Sequence, residues 1–244
     1  MTGTLTIAGL GPGDEALVTP EVAAALADAT DVLGYAPYVA RIKARQGLAL
    51  HASDNREELR RAEEAMRLAA EGRRVVVVSS GDPGVFAMAS AVFEALEAAP
   101  QWHGLVIRVL PGVTAMLAAA ARAGAPLGHD FCAINLSDNL KPWSLIEKRL
   151  RLAAEADFAI ALYNPRSASR LEGFARALQV LNQAGCGDRI TIFAHAVTTA
   201  DERIDALPLR DARPDMADMR TLVIVGNSAT RRTGRWIYTP RHAS

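Results

Sequence analysis

Three glycine-containing turns, each directly after an apolar strand-like run, are the residues of this chain best suited to holding a small molecule. They are Gly9-Leu10-Gly11-Pro12-Gly13-Asp14, Ser79-Ser80-Gly81-Asp82-Pro83-Gly84-Val85-Phe86, and Pro111-Gly112-Val113-Thr114-Ala115. Glycines at the carboxyl end of a strand let the backbone turn sharply and approach a ligand closely. Each turn alone has a plainer reading. The first would serve as an ordinary tight connection, the second as a helix cap made by Asp82 and Pro83, and the third as a cap made by Thr114. Three on one sheet edge favour a binding site over coincidence. A dinucleotide loop fits poorly. The spacing is G-x-G-P-G rather than G-x-G-x-x-G, and Pro12 lacks the N–H that a pyrophosphate would take. Asp31 is at about the distance of a ribose-binding acid, but it starts its strand instead of ending it.

No nucleophile–base constellation stands out. His51, His103, His129, His195 and His242 are scattered, without a pair at ligand spacing, so no metal is expected. Cys132 and Cys186 cannot build a disulfide framework, and their isolation suits a reducing cytoplasm.

The elements that must carry these turns alternate. Strands are predicted at Leu5–Ala8, from Asp31, at Val75–Val78 and at Val106–Leu110. Helices are predicted at Pro20–Ala29, Arg56–Glu71 (with Asp54 and Glu57 as a capping-box start and Gly72 as the stop), Pro83 to about Ala98, and Thr114–Ala123. Four consecutive valines at 75–78 require a strand buried on both faces. Alternation of this kind implies parallel βαβ units. Gly124–His129 reads as a linker between domains 1–123 and 130–244. Beyond it, strands near Cys132–Leu136, Phe158–Leu162, Ile190–Ala194 and Leu222–Val225 alternate with helices around Trp143–Ala154 and Ser169–Ala184. Asp205–Arg220, charged and proline-containing, reads as a surface connection. The expected fold is two α/β domains with a ligand cleft between them.

Composition narrows the function. The chain has 244 residues, 50% hydrophobic and 22% charged, with 27 Lys plus Arg against 27 Asp plus Glu. That is a globular composition without the basic excess of a general nucleic-acid binder. The start at Met1 lacks the charged lead of a signal peptide, and the purest apolar run, Ala115–Ala121, is far too short to span a membrane. A cytoplasmic protein with neither nucleic-acid nor membrane partners is expected.

The order and wording of the turns resemble the tetrapyrrole methylase family. The likeness rests on Gly9–Asp14, Gly81-Asp82-Pro83, Pro111–Ala115 and Tyr163-Asn164, and runs from about residue 5 to 227. Gly34-Tyr35-Ala36-Pro37-Tyr38, Ser80–Ala89, Leu136-Ser137-Asp138-Asn139 and Val225-Gly226-Asn227-Ser228 resemble the branch that methylates C-17 of precorrin-3B with ring contraction. Ala36 stands where a glycine is common. The resemblance implies S-adenosylmethionine as methyl donor, a precorrin-3B macrocycle as substrate and a homodimer. It places Pro12, Gly81, Asp82 and Val85 around the donor's ribose and methionine portions, Thr114 and Ala115 at its methionine end, and Tyr163, Asn164 and Ala196 by the adenine.

A macrocycle carrying many carboxylates calls for basic partners. Arg41, Lys43 and Arg45 beyond Tyr35, Lys141 beyond Asn139, and Arg166 and Arg170 beyond Asn164 are the candidates. Asp138, Asn139 and His195 are candidates for handling protons, with a hydrogen-bonded core role open for His195. The cobalt-containing form of the same step, another precorrin methylase, a nicotinamide-dependent oxidoreductase and a tetrapyrrole carrier remain as alternatives.

Overall fold

The computed structural model describes residues 3–55, 57–167 and 170–242. Its contacts divide the chain into two units, Met1–Thr114 and Ala115–Ser244.

The first unit is built on strands β1 (Thr4–Gly9), β2 (Asp31–Tyr35), β3 (Ala49–Ser53), β4 (Arg74–Ser79) and β5 (Val106–Leu110), all parallel, in the order β3-β2-β4-β1-β5. The valine run behaves as its composition demands. Val75 and Val77 join the core under helices α3 (Glu58–Ala70) and α4 (Met88–Glu97), while Val76 and Val78 join the opposite core under α1 (Pro20–Asp28) and α2 (Ala36–Val39). The chain therefore leaves β1 toward one face and the adjacent β4 toward the other. Neighbouring connections that diverge at the carboxyl edge mark the place where parallel sheets take ligands.

Local chemistry shifts several helix starts. The second glycine turn does not open a helix at Pro83; residues 83–87 form turns and bends, and α4 begins at Met88. α3 begins at Glu58, and Arg56, the expected first residue, lies outside the described residues. Of its expected capping box the return bond is present, the Glu57 carboxylate accepting from Asp54 N–H, while the Asp54 carboxylate accepts from Asn55 N–H. Gly72 does end α3, with φ at 89° and its N–H on the Ala69 carbonyl.

At the amino edge, Asp31 is fully buried and accepts from Thr30, Arg73 and His51. Burial alone would raise its carboxyl pKa, but the hydrogen bonds from Arg73 and His51 outweigh burial and hold it below the usual value. The network's contribution is therefore complete above about pH 4 and is lost as the pH falls from there through the folded-state value. Asp31→Asn is expected to destabilise the protein by roughly 1.5–3 kcal/mol near neutral pH, the worth of a hydrogen bond to a charged group. Denaturant titration should show that gap closing in acid. An equal gap at every pH would contradict the assignment.

The second unit carries α5 (Ala115–Ala123), β6 (Gly124–Ala125), β7 (Phe131–Asn135), α6 (Trp143–Glu155), β8 (Ala159–Tyr163), α7 (Glu172–Gln183), β9 (Ile190–His195), β10 (Arg203–Pro208), β11 (Thr221–Val225), β12 (Arg231–Thr233) and β13 (Trp236–Tyr238). The main sheet has the order β10-β9-β11-β8-β7, parallel only between β7 and β8. Strict βαβ alternation thus fails here. β9 folds straight back onto β10, which takes the start of the segment expected to be a surface connection, and only two short 3-10 turns, Leu209–Asp211 and Pro214–Met216, precede β11. β11 is not the last strand either, since β12 and β13 pair into a small sheet with β6.

That pairing moves the boundary. The expected 124–129 linker includes β6, a strand of the second unit, and α5 packs on β10, β11 and β13. The division therefore falls at 114/115. On the main sheet's other face, α6 and α7 cover a core that includes Ile146, Leu150, Phe174 and Phe193, the two phenyl rings meeting edge-on at 6.0 Å. Ser169, expected to begin α7, lies outside the described residues. β8 and β9 are both antiparallel to β11, so β7, β8 and β9 point the same way. Asn135, Tyr163 and His195 consequently end on one edge.

Candidate functional site

In the first unit the three glycine turns lock together through backbone. Gly11 and Gly81 exchange N–H···O bonds of 3.2 and 2.9 Å, extending the sheet past β1 and β4, and both have positive φ (67° and 66°). A Cβ on Gly9 would stand 2.5 Å from the Gly81 oxygen, and one on Gly112 would stand 2.2 Å from that oxygen and 2.8 Å from the Gly9 oxygen. Gly9 and Gly112 are glycines because three backbones converge there, and Gly81 because its φ is left-handed.

Asp82 fastens this arrangement. One carboxylate oxygen accepts from Gly84 N–H at 2.8 Å, and the other from Gly112 N–H at 3.0 Å, joining the second turn to the third. The expected capping role is thus replaced by a tie between loops. A carboxylate has about four acceptor positions, so this half-buried group keeps capacity for a ligand hydroxyl or ammonium. Val85 is half-buried beside it, and Phe86 is 48% exposed with φ at 54°. Left-handed backbone in a bulky residue is uncommon and concentrates at functional sites. Pro12 lies half-buried in the first loop, and Thr114 is buried at the end of the third.

Arg41 reaches the first loop: its guanidinium donates to the carbonyls of Leu10 (2.6 Å), Gly11 (3.1 Å) and Gly13 (3.1 Å). Arg45 similarly donates to the last carbonyls of α1, and Lys43 pairs with Glu15 on the surface. Tyr35 ends β2 with its ring edge-on to Tyr38 at 5.4 Å.

In the second unit the sheet edge gathers Asn135, Tyr163 and Asn164. The Tyr163 hydroxyl accepts from Met116 N–H at 3.1 Å, satisfying a first-turn amide of α5, which begins at Ala115. Asn164 has φ at 51° and donates from Nδ2 to Asn135 Oδ1 at 3.1 Å. Arg170 donates to the Asn164 carbonyl. Ala196 has φ at 46° although it lacks a polar side chain to favour that conformation, and its N–H is held by the Arg220 carbonyl at 2.8 Å. One strand, β11, separates β8 from β9, so the Asn164 and Ala196 turns lie about 10 Å apart along the edge.

The basic and proton-handling candidates divide. Arg166 is half-buried, and its Nε is buried without a hydrogen-bond partner among the described residues. Lys141 is half-buried; burial and the nearby Arg149 push its ammonium pKa down, against the pull of Asp138. Asp138 and Asn139 stand exposed on the loop after β7. His195 contacts Thr221 and Asp218 through Nδ1, each at 3.3 Å, and borders a shallow hollow lined by Ala200, Asp201, Glu202 and Arg203. Both carboxylates of that hollow are ion-paired, Asp201 with Arg220 and Glu202 with Arg122.

Sequence reading missed three groups. Asn135 orients Asn164 from the neighbouring strand end. Arg61, only 6% exposed, donates to Ser53 Oγ, the Asp54 carbonyl and Met88 Sδ, joining the end of β3 to the first residue of α4. The signal for Arg61 lay in its sharing of the buried α3 face with Ala65 and Leu68. The third, Arg41's hold on the first loop, had no local signal because its partners lie about thirty residues away.

The family described as Tetrapyrrole (Corrin/Porphyrin) Methylases matches residues 4–213. A Sinorhizobium protein named precorrin-3B C(17)-methyltransferase is 52% identical over 99% of this chain and 97% of its own length. A cobalt-factor III methyltransferase of Priestia megaterium is 36% identical over 99% of this chain and 45% of that longer protein. Among solved structures, the methyltransferase CobJ is 68% identical, with a TM-score of 0.96 over 98% of this chain and all of that one.

Proposed function

The chain belongs to the tetrapyrrole (corrin/porphyrin) methylases, and from that premise we propose that it transfers a methyl group from S-adenosylmethionine to C-17 of precorrin-3B and promotes contraction of the ring to precorrin-4 in cobalamin biosynthesis. The observation that carries this reading is the 52% identity, over nearly both full lengths, to a protein named for methylation of precorrin-3B at C-17. Identity to the cobalt-factor relative is lower, at 36%, which favours the metal-free substrate.

When bound, S-adenosylmethionine supplies a methyl already activated by its sulfonium. The protein's work is then alignment, which can contribute several kcal/mol of barrier lowering. In the first unit, the open acceptor positions of Asp82 suit a ribose hydroxyl or an ammonium, and Pro12, Gly81, Val85 and Thr114 offer backbone without bulk. In the second, Ala115, Tyr163, Asn164 and Ala196 are proposed to receive the donor's methionine end and adenine. Tyr35, Lys141 and Arg166 are proposed for the macrocycle and its carboxylates, and Asp138 and Asn139 for proton handling during contraction.

Arg166 offers the clearest test of substrate recognition. Arg166→Ala is expected to raise the KM for the tetrapyrrole roughly tenfold or more, the value of one charge-assisted hydrogen bond. Affinity for S-adenosylhomocysteine should stay unchanged by calorimetry. The reverse pattern would remove Arg166 from the substrate side.

The reaction itself is tested by comparing kcat/KM on precorrin-3B and on its cobalt-containing counterpart. Preference for the metal-free ring is expected; preference for cobalt would move the protein to that branch. Turnover of neither, with binding of a nicotinamide cofactor or of the macrocycle alone, would favour the oxidoreductase or carrier reading. No helix among the described residues is long and apolar enough to cross a membrane, and a cytoplasmic homodimer is the proposed working form.

A further inference from the structure

We infer that Arg41 is the positioning residue of the methyl-donor loop, acting through backbone carbonyls without touching the reacting atoms. This rests on the proposed donor role of Pro12, at the centre of residues 9–14.

Those residues cannot organise themselves. From Gly9 to Gly13 no side chain can form a hydrogen bond, Pro12 has no N–H, and three of the five residues are glycines with unrestricted backbones. Ordering such a segment carries a large entropic cost, and its carbonyls need donors once removed from water. A single planar guanidinium meets that need. Arg41 Nη2 donates to the Leu10 and Gly13 carbonyls on either side of Gly11-Pro12, and Nη1 to the Gly11 carbonyl between them. The fork geometry makes the three bonds simultaneous, which a lysine's compact ammonium on a flexible stem reproduces poorly.

The rest of the site reinforces the assignment. Gly11 O also accepts from Gly81 N–H at 2.9 Å, so the atom fixed by Arg41 is one that locks the first turn to the second. Among the described residues no carboxylate lies within ion-pair distance of Arg41, so its hydrogen bonds are those to the loop. The arginine itself is anchored just beyond α2, its N–H on the Tyr38 carbonyl at 3.1 Å. The Tyr35–Tyr38 turn and the donor loop are therefore coupled through one side chain.

The test uses the full chain with Arg41→Ala and Arg41→Lys, alongside Arg189→Ala. Arg189 clamps the Ala154 and Phe158 carbonyls far from these loops in sequence and serves as a control for general destabilisation. Arg41→Ala is expected to weaken S-adenosylhomocysteine binding roughly tenfold or more. Amide hydrogen exchange should quicken in the peptide covering residues 10–14, while the tetrapyrrole KM at saturating donor should change by less than about twofold. Arg41→Lys should recover only part of both losses. Arg189→Ala should lower the melting temperature and leave donor affinity intact.

A raised tetrapyrrole KM with unchanged donor affinity would overturn the inference and return Arg41 to the substrate. Unchanged exchange at residues 10–14 would overturn it as well. The exchange readout needs no ligand. If the wild-type protein itself failed to bind S-adenosylhomocysteine, the proposed donor would be wrong, while the exchange contrast would still decide whether Arg41 holds the loop.

Discussion

Gly112→Ala is expected to lower kcat/KM by about 100-fold, the penalty for displacing reacting groups by about 1 Å. The added methyl would stand 2.2 Å from the Gly81 oxygen and 2.8 Å from the Gly9 oxygen. Both obstacles are backbone, so no side chain can swing away. Either the third turn moves off the first two or the Gly11–Gly81 bridge opens. Each response displaces Asp82, whose carboxylate depends on the Gly112 N–H. Overpacking of this kind costs about 1–3 kcal/mol of stability, which a two-unit protein of this size can absorb while remaining folded. The loss should therefore appear chiefly in donor affinity and turnover. Steady-state kinetics and calorimetry with S-adenosylhomocysteine would check it. Gly104→Ala is the comparison: Gly104, like Gly112, has no left-handed φ, but a Cβ there meets nothing within 4 Å. A Gly112 variant with normal kinetics would mean that the convergence of backbones is irrelevant to the site.

The second large effect is expected at Asp82. Removing its carboxylate leaves the Gly84 and Gly112 amides without their acceptor. Water can meet the exposed Gly84 N–H, so the main loss is the part-buried bond that ties Gly112 to Asp82; a bond to a charged group is worth about 1.5–3 kcal/mol. Asp82→Ala should thus weaken donor binding by roughly 10- to 100-fold. Asp82→Asn discriminates further. Its amide oxygen can keep one backbone N–H, but its NH2 then faces the other, donor against donor. The expected order of donor affinity is wild type, then Asn, then Ala. An Asn variant equal to wild type would show that neither the charge nor the double acceptance matters.

Much of the first unit was legible because its signals are local. Four consecutive valines require burial on both faces, and the two cores receive alternate members of the run. The three glycine turns could be placed from strand-end punctuation alone. Their physical reason could not, because the contacts among Gly9, Gly81 and Gly112 span about a hundred residues. Asp82-Pro83 reads locally as a helix cap, but in the fold Asp82 is held by Gly112, and α4 starts at Met88.

The second unit was harder to read for a different reason. Arg203–Ala206 alternates exposed and partly buried residues, a strand's period, beneath a charged and proline-containing composition. β12 carries three exposed residues, with too little apolar content to announce a strand. The linker expected from Gly124, Pro126 and Gly128 has the same origin, since Gly124 owes its identity to close approach of β13. A Cβ there would meet the Ile237 oxygen at 2.5 Å. Among site residues, the Tyr163-Asn164 turn and Ala196 were placed by resemblance, and their hydrogen bonds and backbone conformations give that placement a physical setting. Arg41 bonds the first loop's carbonyls, partners about thirty residues away that no local pattern announces.

The most direct measurement is the fate of an isotopically labelled methyl group. The protein would be incubated with precorrin-3B and S-adenosylmethionine carrying a carbon-13 methyl, and the tetrapyrrole product examined by mass spectrometry and carbon NMR. One labelled methyl at C-17 of a ring-contracted product is the predicted result. Label at another ring position, or a macrocycle recovered unlabelled while S-adenosylmethionine remains intact, would contradict it.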